Sequence, residues 1–347
     1  GTTALHLACQ CGASIDVVSL LISTCPEAVK EKKRNGQIPL QVACEFGASL
    51  DVVRALLITW PDAAKEKPFS GFTPLHFACY GRASLDVIQA LLNTWPDATK
   101  EKDLHGETPL TLACKYGASL DVIRALLSTW PDAAKVNNDW GRSPLYFACQ
   151  HRASIDVIRE VLNAWPDAAR EKDICGDIPL HRARYRTAST DVIRLLLSSW
   201  PDGAREENNT SSTPLHFACF FRASLDVVQL LLDHWLEAAE NRNSQSVQSL
   251  VDESRLNPDI QNFLVRVAAL FNENQNEFSP DEIMIFFINI NWWNGALLAI
   301  NRYPTVAKSL GLHTKVMADF LSVVGKCCSL TTMLKVIENE PDLLEGV

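Results

Sequence analysis

Gly71-Phe72-Thr73-Pro74-Leu75-His76-Phe77-Ala78-Cys79 is the stretch from which the rest of the chain can be read. Thr directly before Pro is a helix start: the hydroxyl caps free backbone N–H groups, and Pro suits the first helical position, where no donor is needed. Leu75, Ala78 and Cys79 then fall at i, i+3 and i+4, one small apolar face of a short helix. Small residues there let a neighbouring element approach closely. Moving outward by 35 residues in either direction finds the same string. Gly1, Gly36, Gly71, Gly106, Gly141 and Gly176 open successive copies, with Ser211 in the seventh. Leu recurs from Leu5 to Leu215, and Ala from Ala8 to Ala218, followed by Cys except at Arg184.

Each copy carries a second start signal. Ser14, Ser49, Ser84, Ser119, Ser154, Ser189 and Ser224 recur with Asp two residues on, a cap followed by a carboxylate at the positive end of the helix dipole. Leu85, Ile88, Leu91, Leu92 and Trp95 form one stripe, which predicts a longer helix stopped by Pro96. Asp97 to Gly106 then lead into the next copy, the Gly supplying a positive φ for a tight turn. The unit is helix, turn, longer helix and hairpin-like loop.

The string at 71–79 resembles the ankyrin signature, whose core is T-P-L-H-x-A. One extra residue before the second helix, and W-P-D in place of G-A-D after it, lengthen the unit to 35 residues. The variant looks like one expanded in microalgal ankyrin proteins. The resemblance implies an all-α fold: an ankyrin-repeat solenoid over residues 1–242, with repeats starting near 1, 36, 71, 106, 141, 176 and 211. Residues 243–347 are expected to form a helical C-terminal cap region of degenerate repeats. Ser279-Pro280-Asp281-Glu282 reads there as a capping box. Residues 299–304 align with Leu91–Pro96, and residues 329–342 with Ser84–Asp97, seven periods on. Gly1 falls inside a motif, so the chain reads as a fragment of a longer one.

Composition narrows the function. Of the net charge of −9, the segment from Asp233 onward holds −7, with 15 acidic and 8 basic residues. A nucleic-acid partner is not expected, because phosphate neutralisation needs a basic face. Six of the 11 cysteines, Cys9, Cys44, Cys79, Cys114, Cys149 and Cys219, share one repeat position. Packed helices lie about 8–10 Å apart, beyond the roughly 7 Å Cα separation a disulfide tolerates. These are therefore read as small buried hydrophobes in a reducing setting, cytoplasmic or nuclear. Cys327 and Cys328 have no C-x-x-C partner, so no metal is expected. His6, His76, His181 and His216 recur in register. In the ankyrin resemblance this His hydrogen-bonds between adjacent turns, a structural role. No catalytic set stands outside repeat positions; no cofactor and no small-molecule substrate are expected. The apolar run Ile283–Ile288 is six residues long, against about 20 for a membrane span, so residues 283–300 read as a buried helix pair. Two alternatives remain: a membrane-associated adaptor using 283–300, and an enzyme active in the C-terminal region.

The expected function is therefore a protein-binding scaffold. Recognition should lie where copies differ. One set surrounds the hairpin Gly: Phe69 and Phe72, Leu104 and His105, Trp140 and Arg142, Ile174 and Asp177. The other follows the motif Cys: Glu45 and Phe46, Tyr80, Lys115 and Tyr116, Tyr185 and Arg186, Phe220 and Phe221. In ankyrin architectures both sets line the concave side. The candidate contact residues are Phe46, Phe69, Phe72, Tyr80, Tyr116, Trp140, Arg142, Tyr185, Arg186, Phe220 and Phe221, types enriched at binding hot spots. Trp140, Tyr116 and Arg142 are expected to anchor a partner. The tryptophans Trp60, Trp95, Trp130, Trp165, Trp200 and Trp235 are expected to form a buried packing column.

Overall fold

The two start signals of each copy become two helices. The computed structural model describes residues 1–151, 153–183, 190–238, 241–252, 257–272, 278–303 and 306. Helices α1 (Ala4–Gln10) and α2 (Ile15–Thr24) form the first pair. The next pairs are α3 (Pro39–Glu45) with α4 (Leu50–Thr59), and α5 (Pro74–Tyr80) with α6 (Leu85–Thr94). They are followed by α7 (Pro109–Tyr116) with α8 (Leu120–Thr129), and α9 (Pro144–Gln150) with α10 (Ile155–Ala164). In the sixth copy, α11 (Pro179–Arg182) precedes α12 (Thr190–Ser199). Among the described residues there is no strand.

Local chemistry sets these boundaries. Thr73, Thr108 and Ser143 accept from the backbone N–H three residues on, and Pro follows each at the first helical position. The second helices are capped unevenly: Ser49, Ser119 and Ser154 accept from the N–H of Val52, Val122 and Val157, while the side chains of Ser14 and Ser84 make no cap bond. Each Trp in the 60–200 series ends the second helix with an extended backbone (Trp130 has φ −145° and ψ 93°), and the Pro after it opens a five-residue 3-10 turn such as Pro131–Lys135.

Residues 1–214 form one compact unit and residues 215–347 another. In the first, short helices stack on short helices in order from α1 to α11, and long on long from α2 to α12. The interface is small and apolar: Leu75, Ala78, Cys79, Ile88 and Leu91 are at most 2% exposed, as are their counterparts Leu110, Ala113, Cys114, Ile123 and Leu126. Each buried Leu or Ile contributes about 1.5–3 kcal/mol, and Ala at the crossing keeps the stack close. The six motif cysteines are buried and free, as their recurrence implied.

One expectation needs correction. Trp60, Trp95, Trp130, Trp165 and Trp200 are only half-buried. Trp200 lies across its own 3-10 turn: a Cβ built on Gly203 would stand 3.0 Å from its Cε3. Trp235 alone is buried, at 5% exposure.

The second unit holds the seventh copy, α13 (Pro214–Phe220, which starts at the unit boundary) and α14 (Leu225–Trp235), with α15 (Ser244–Val251), α16 (Pro258–Phe271), α17 (Pro280–Asn289) and α18 (Trp293–Arg302). The sequence boundary after 242 follows the motif; the packing groups the seventh copy with the helices behind it. The capping box forms, Ser279 N donating to Glu282 Oε2 (2.8 Å) and Glu282 N to Ser279 Oγ (3.2 Å). The α17–α18 connection repeats ankyrin geometry: Asn291 has φ 57° and Trp292 N donates to Phe287 O (2.8 Å), as Arg82 has φ 56° and Ala83 N donates to Ala78 O (2.8 Å). Tyr303 ends α18 as Trp95 ends α6. Phe287 and Trp292 thus stand where the repeats carry alanine, and both pack edge-on to Phe263. No described helix is long and apolar enough to cross a membrane, and Ile283, Met284, Phe287, Leu297 and Ile300 are buried. The alignment at 329–342 and the Cys327–Cys328 pair lie outside the described residues.

Candidate protein-binding surface

The hairpin tips are built by a device beyond glycine. Asp103 Oδ1 accepts from the N–H of His105 and Glu107, both at 2.8 Å. Asn138, Asp173 and Asn208 do the same for residues two and four further on. Gly106 adopts φ 73°, a conformation a side chain resists. Successive tips join edge to edge: Leu104 N donates to Ser70 O, Asp139 N to His105 O, Ile174 N to Trp140 O and Asn209 N to Cys175 O. Among the described residues no such bond joins the first pair of tips, at Asn35 and Phe69.

Below the tips, the motif histidines of the first, third and sixth copies each tie their repeat to the next. Thr73 N donates to Nδ1 of His76, which leaves Nε2 to donate to Glu107 O at 3.2 Å. His6 reaches Gln37 O and His181 reaches Ser212 O in the same way. Burial holds His76 down at about 4 and lowers His6 and His181. These are structural groups, neutral near pH 7, as the register implied.

The two variable sets meet along a groove. Between the second and third repeats, a cavity of about 310 Å³ has Asn35, Pro68, Phe69 and Ser70 of the tips on one side and Glu45 and Tyr80 of the first helices on the other. Phe46, Phe69, Tyr80 and Tyr116 are exposed, Phe69 to 77%. Tyr80 and Tyr116 touch edge to face at 4.6 Å. Phe72 is half-buried against His76 and Phe77. Trp140 is half-buried and rests on His105 of the previous tip at 5.2 Å, so packing accounts for part of its presence. Arg142 is not a free anchor: its Nε donates to Asp173 Oδ2 (3.3 Å) and its guanidinium lies over the rings of Tyr146 and Trp140. Asp177, 1% exposed, is spent on Arg182. Phe220 and Phe221, in the second unit, are exposed and stacked edge-on at 5.0 Å. Tyr185 and Arg186 lie outside the described residues, as does Arg184.

Sequence reading missed the buried half of this surface. Glu107, Asp173 and Tyr146 are 2%, 5% and 1% exposed, and each bonds a residue 8 to 31 positions away along the chain. The Asx residues were visible as Asp or Asn three places before Gly or Ser in the last four tips. The pairings needed coordinates. Among the described residues no group of His, Cys, Asp or Glu could hold a metal ion.

A family model for ankyrin repeats matches residues 1–67, 49–138, 75–170 and 153–243. Two solved structures are similar: the human ASB11 ankyrin repeat domain, at 24% identity and TM-score 0.56, covers 67% of this chain and 98% of its own. The ankyrin repeat domain of Bcl-3, described as a unique member of the IkappaB protein family, shows 25% identity and TM-score 0.51, covering 67% of this chain and 99% of its own. No curated protein matches by sequence. Family model, stacked helix pairs and the inter-repeat histidines agree, and the chain belongs to the ankyrin-repeat family.

Proposed function

We propose that this chain is a non-enzymatic scaffold that holds a partner protein in the groove between hairpin tips and first helices. Ankyrin repeats are generally binding modules, and protein partners are what they imply. The observation that carries the reading is the exposed aromatic set Phe46, Phe69, Tyr80 and Tyr116, of which Phe69 and Tyr80 line the 310 Å³ cavity and Tyr116 packs on Tyr80. Rings exposed at 36–77% leave much of their surface in water, yet are the residue types that dominate interface energy. Free cysteines at every described position support a reducing, cytoplasmic or nuclear setting as part of the same proposal.

Phe69→Ala and Tyr116→Ala, scored for melting temperature and for partner recovery by affinity capture, test it. Recovery should fall at least ~10-fold for one of them, with melting unchanged for Phe69→Ala. Recovery that stays constant in both variants overturns the reading.

A further inference from the structure

The groove contains three internal examples of one arrangement, and a fourth place where it is incomplete. In the fourth repeat, Lys115 Nζ donates to Glu107 Oε1 and Oε2 at 2.9 and 3.0 Å and lies 5.2 Å from the Phe147 ring and 5.7 Å from Tyr116. In the fifth, Arg142 bonds Asp173 and lies 5.2 Å from Tyr146. In the sixth, Arg182 pairs with Asp177 and lies 5.9 Å from the same tyrosine ring. Each combines a carboxylate side chain at most 3% exposed, a cation whose side chain is about a quarter exposed and an aromatic ring. A cation over a ring, with a carboxylate at its side, gains from both.

Two periods before Glu107 and Lys115 stand Gln37 and Glu45. Here the carboxylate sits on the helix, and neither position carries a base. Gln37 is engaged at both ends of its amide: its Nε2 donates to Glu45 Oε2 (2.7 Å), while Asn35 Nδ2 and Lys33 Nζ donate to its Oε1 at 2.7 and 3.4 Å. Glu45 makes no ion pair among the described residues, and its one side-chain bond there is the one from Gln37. Phe77 occupies the place of Phe147, and Phe69, Phe72 and Tyr80 complete the aromatic walls. Where Lys115 fills the fourth repeat, the second and third enclose the 310 Å³ cavity. Lys33 is held on Gln37 and Arg34 stands at the exposed tip, and neither is bonded to Glu45.

We propose that this cavity binds a lysine or arginine side chain of the partner, its cation on Glu45 and its stem against Phe72, Phe77 and Tyr80. The inference rests on the groove being the partner surface and names the chemistry one position reads. A basic segment of a partner supplies what Lys115, Arg142 and Arg182 supply internally further along.

The test uses a random dodecapeptide display library selected on the full chain. The strongest peptides are then synthesised and titrated against four variants. The expected result is a shared Lys or Arg in the selected peptides. Its change to Gln, or Glu45→Gln in the chain, should weaken binding at least ~10-fold. The double variant Gln37→Glu, Glu45→Lys installs the fourth repeat's own ion pair. It should fill the cavity and abolish binding while the chain melts normally. Peptides that share no basic residue, or bind Glu45→Gln as tightly as the parent, overturn the inference; if Tyr116→Ala still weakens them, the scaffold reading stands without it. Peptides indifferent to Glu45→Gln, Phe69→Ala and Tyr116→Ala together overturn both. A library that yields no binder overturns the inference as well.

Discussion

His76 has both ring nitrogens committed: Nδ1 accepts from Thr73 N and Nε2 donates to Glu107 O. Protonation would put a hydrogen on Nδ1, facing a donor. Burial adds to this, and the group titrates at about 4 rather than 6.5. The stability this confers is complete above pH 6.5, where folded and unfolded chains both hold the ring neutral. It is lost as the pH falls from 6.5 toward 4, because the unfolded chain takes up the proton first. At about 1.36 kcal/mol per unit of pKa, His76 alone accounts for about 3 kcal/mol over that window. His6 and His181 act in the same sense. Denaturant midpoints measured from about pH 7 to pH 4 should therefore fall. His76→Gln should flatten the fall, since Gln41 already does this job in the second repeat: Ile38 N donates to its Oε1 (2.9 Å) and its Nε2 donates to Glu66 O (2.7 Å). A slope unchanged by His76→Gln would remove the histidine from the account. Ser211 offers a second residue-scale test. It holds φ 55° where the other tips use Gly at 73–83°, so Ser211→Gly should stabilise by about 1 kcal/mol. At this scale the Thr-Pro start and the histidine register were legible, because both depend on neighbours along the chain. The Arg142–Asp173–Tyr146 cluster was not, because Asp173 lies 31 and 27 residues from its partners, at the far end of the same copy.

The second helices end on tryptophans whose recurrence fixed their position but not their burial. Periodicity reports which face an element presents inward; a residue at the last helical turn sits at the edge of that face. Trp130 is half-buried, so Trp130→Ala should cost about 1–2 kcal/mol, below the roughly 3–5 kcal/mol of a fully buried tryptophan. Because repeats couple mainly to neighbours, the loss should broaden the unfolding transition more than the same change at Trp60. Thermal melts of the two variants decide the matter: equal broadening would mean the stack is not nearest-neighbour coupled. The sixth copy invites the opposite change. Ala28, Ala63, Ala98, Ala133 and Ala168 occupy the position of Gly203 in the others. A small gap there is lined by Ala169, Ile178, Leu180, Leu196 and Trp200. Gly203→Ala places a methyl 3.0 Å from Trp200 Cε3 and 3.5 Å from Ile178 Cδ1. The half-exposed indole can yield by a few tenths of an ångström, so the variant should gain about 0.4–1 kcal/mol, the usual benefit of a less free unfolded chain. A lowered melting temperature would show that Trp200 is held rigidly.

Across the whole chain, the sequence reading placed seven motif copies ahead of a capping region, and the packing binds the last copy to that region. α14 buries Val227, Val228, Leu231 and Leu232 completely and Trp235 to 5% exposure. It meets α16, and Asp233 Oδ1 accepts from Nε1 of Trp292 at 2.7 Å. Trp292 in turn fills the space beside Gly295, where a Cβ would stand 1.9 Å from its ring. The faint motif in residues 299–304 was legible because Tyr303 keeps the helix-ending role of the tryptophans; the aromatic pair in the alanine places was not, because it has no precedent among the copies. The consequence is a physical dependence of the seventh copy on helices α15 to α18. Deleting residues 243–347 strips α14 of α16 and Trp292 and returns several large apolar side chains to water, each at about 1.5–3 kcal/mol. The truncated chain should aggregate, its exposed stripe acting as the unpaired end of a repeat array. Trp292→Phe is the milder probe. It keeps a ring against Phe263 and Phe287 but removes the Nε1–H bond to Asp233, and should cost about 1–3 kcal/mol in the unfolding of residues 215–347 alone. Size-exclusion chromatography of the truncation and denaturant melts of the point variant read the two outcomes. A soluble monomeric chain ending at residue 242, with the seventh copy folded, would show that the copy closes the array without help.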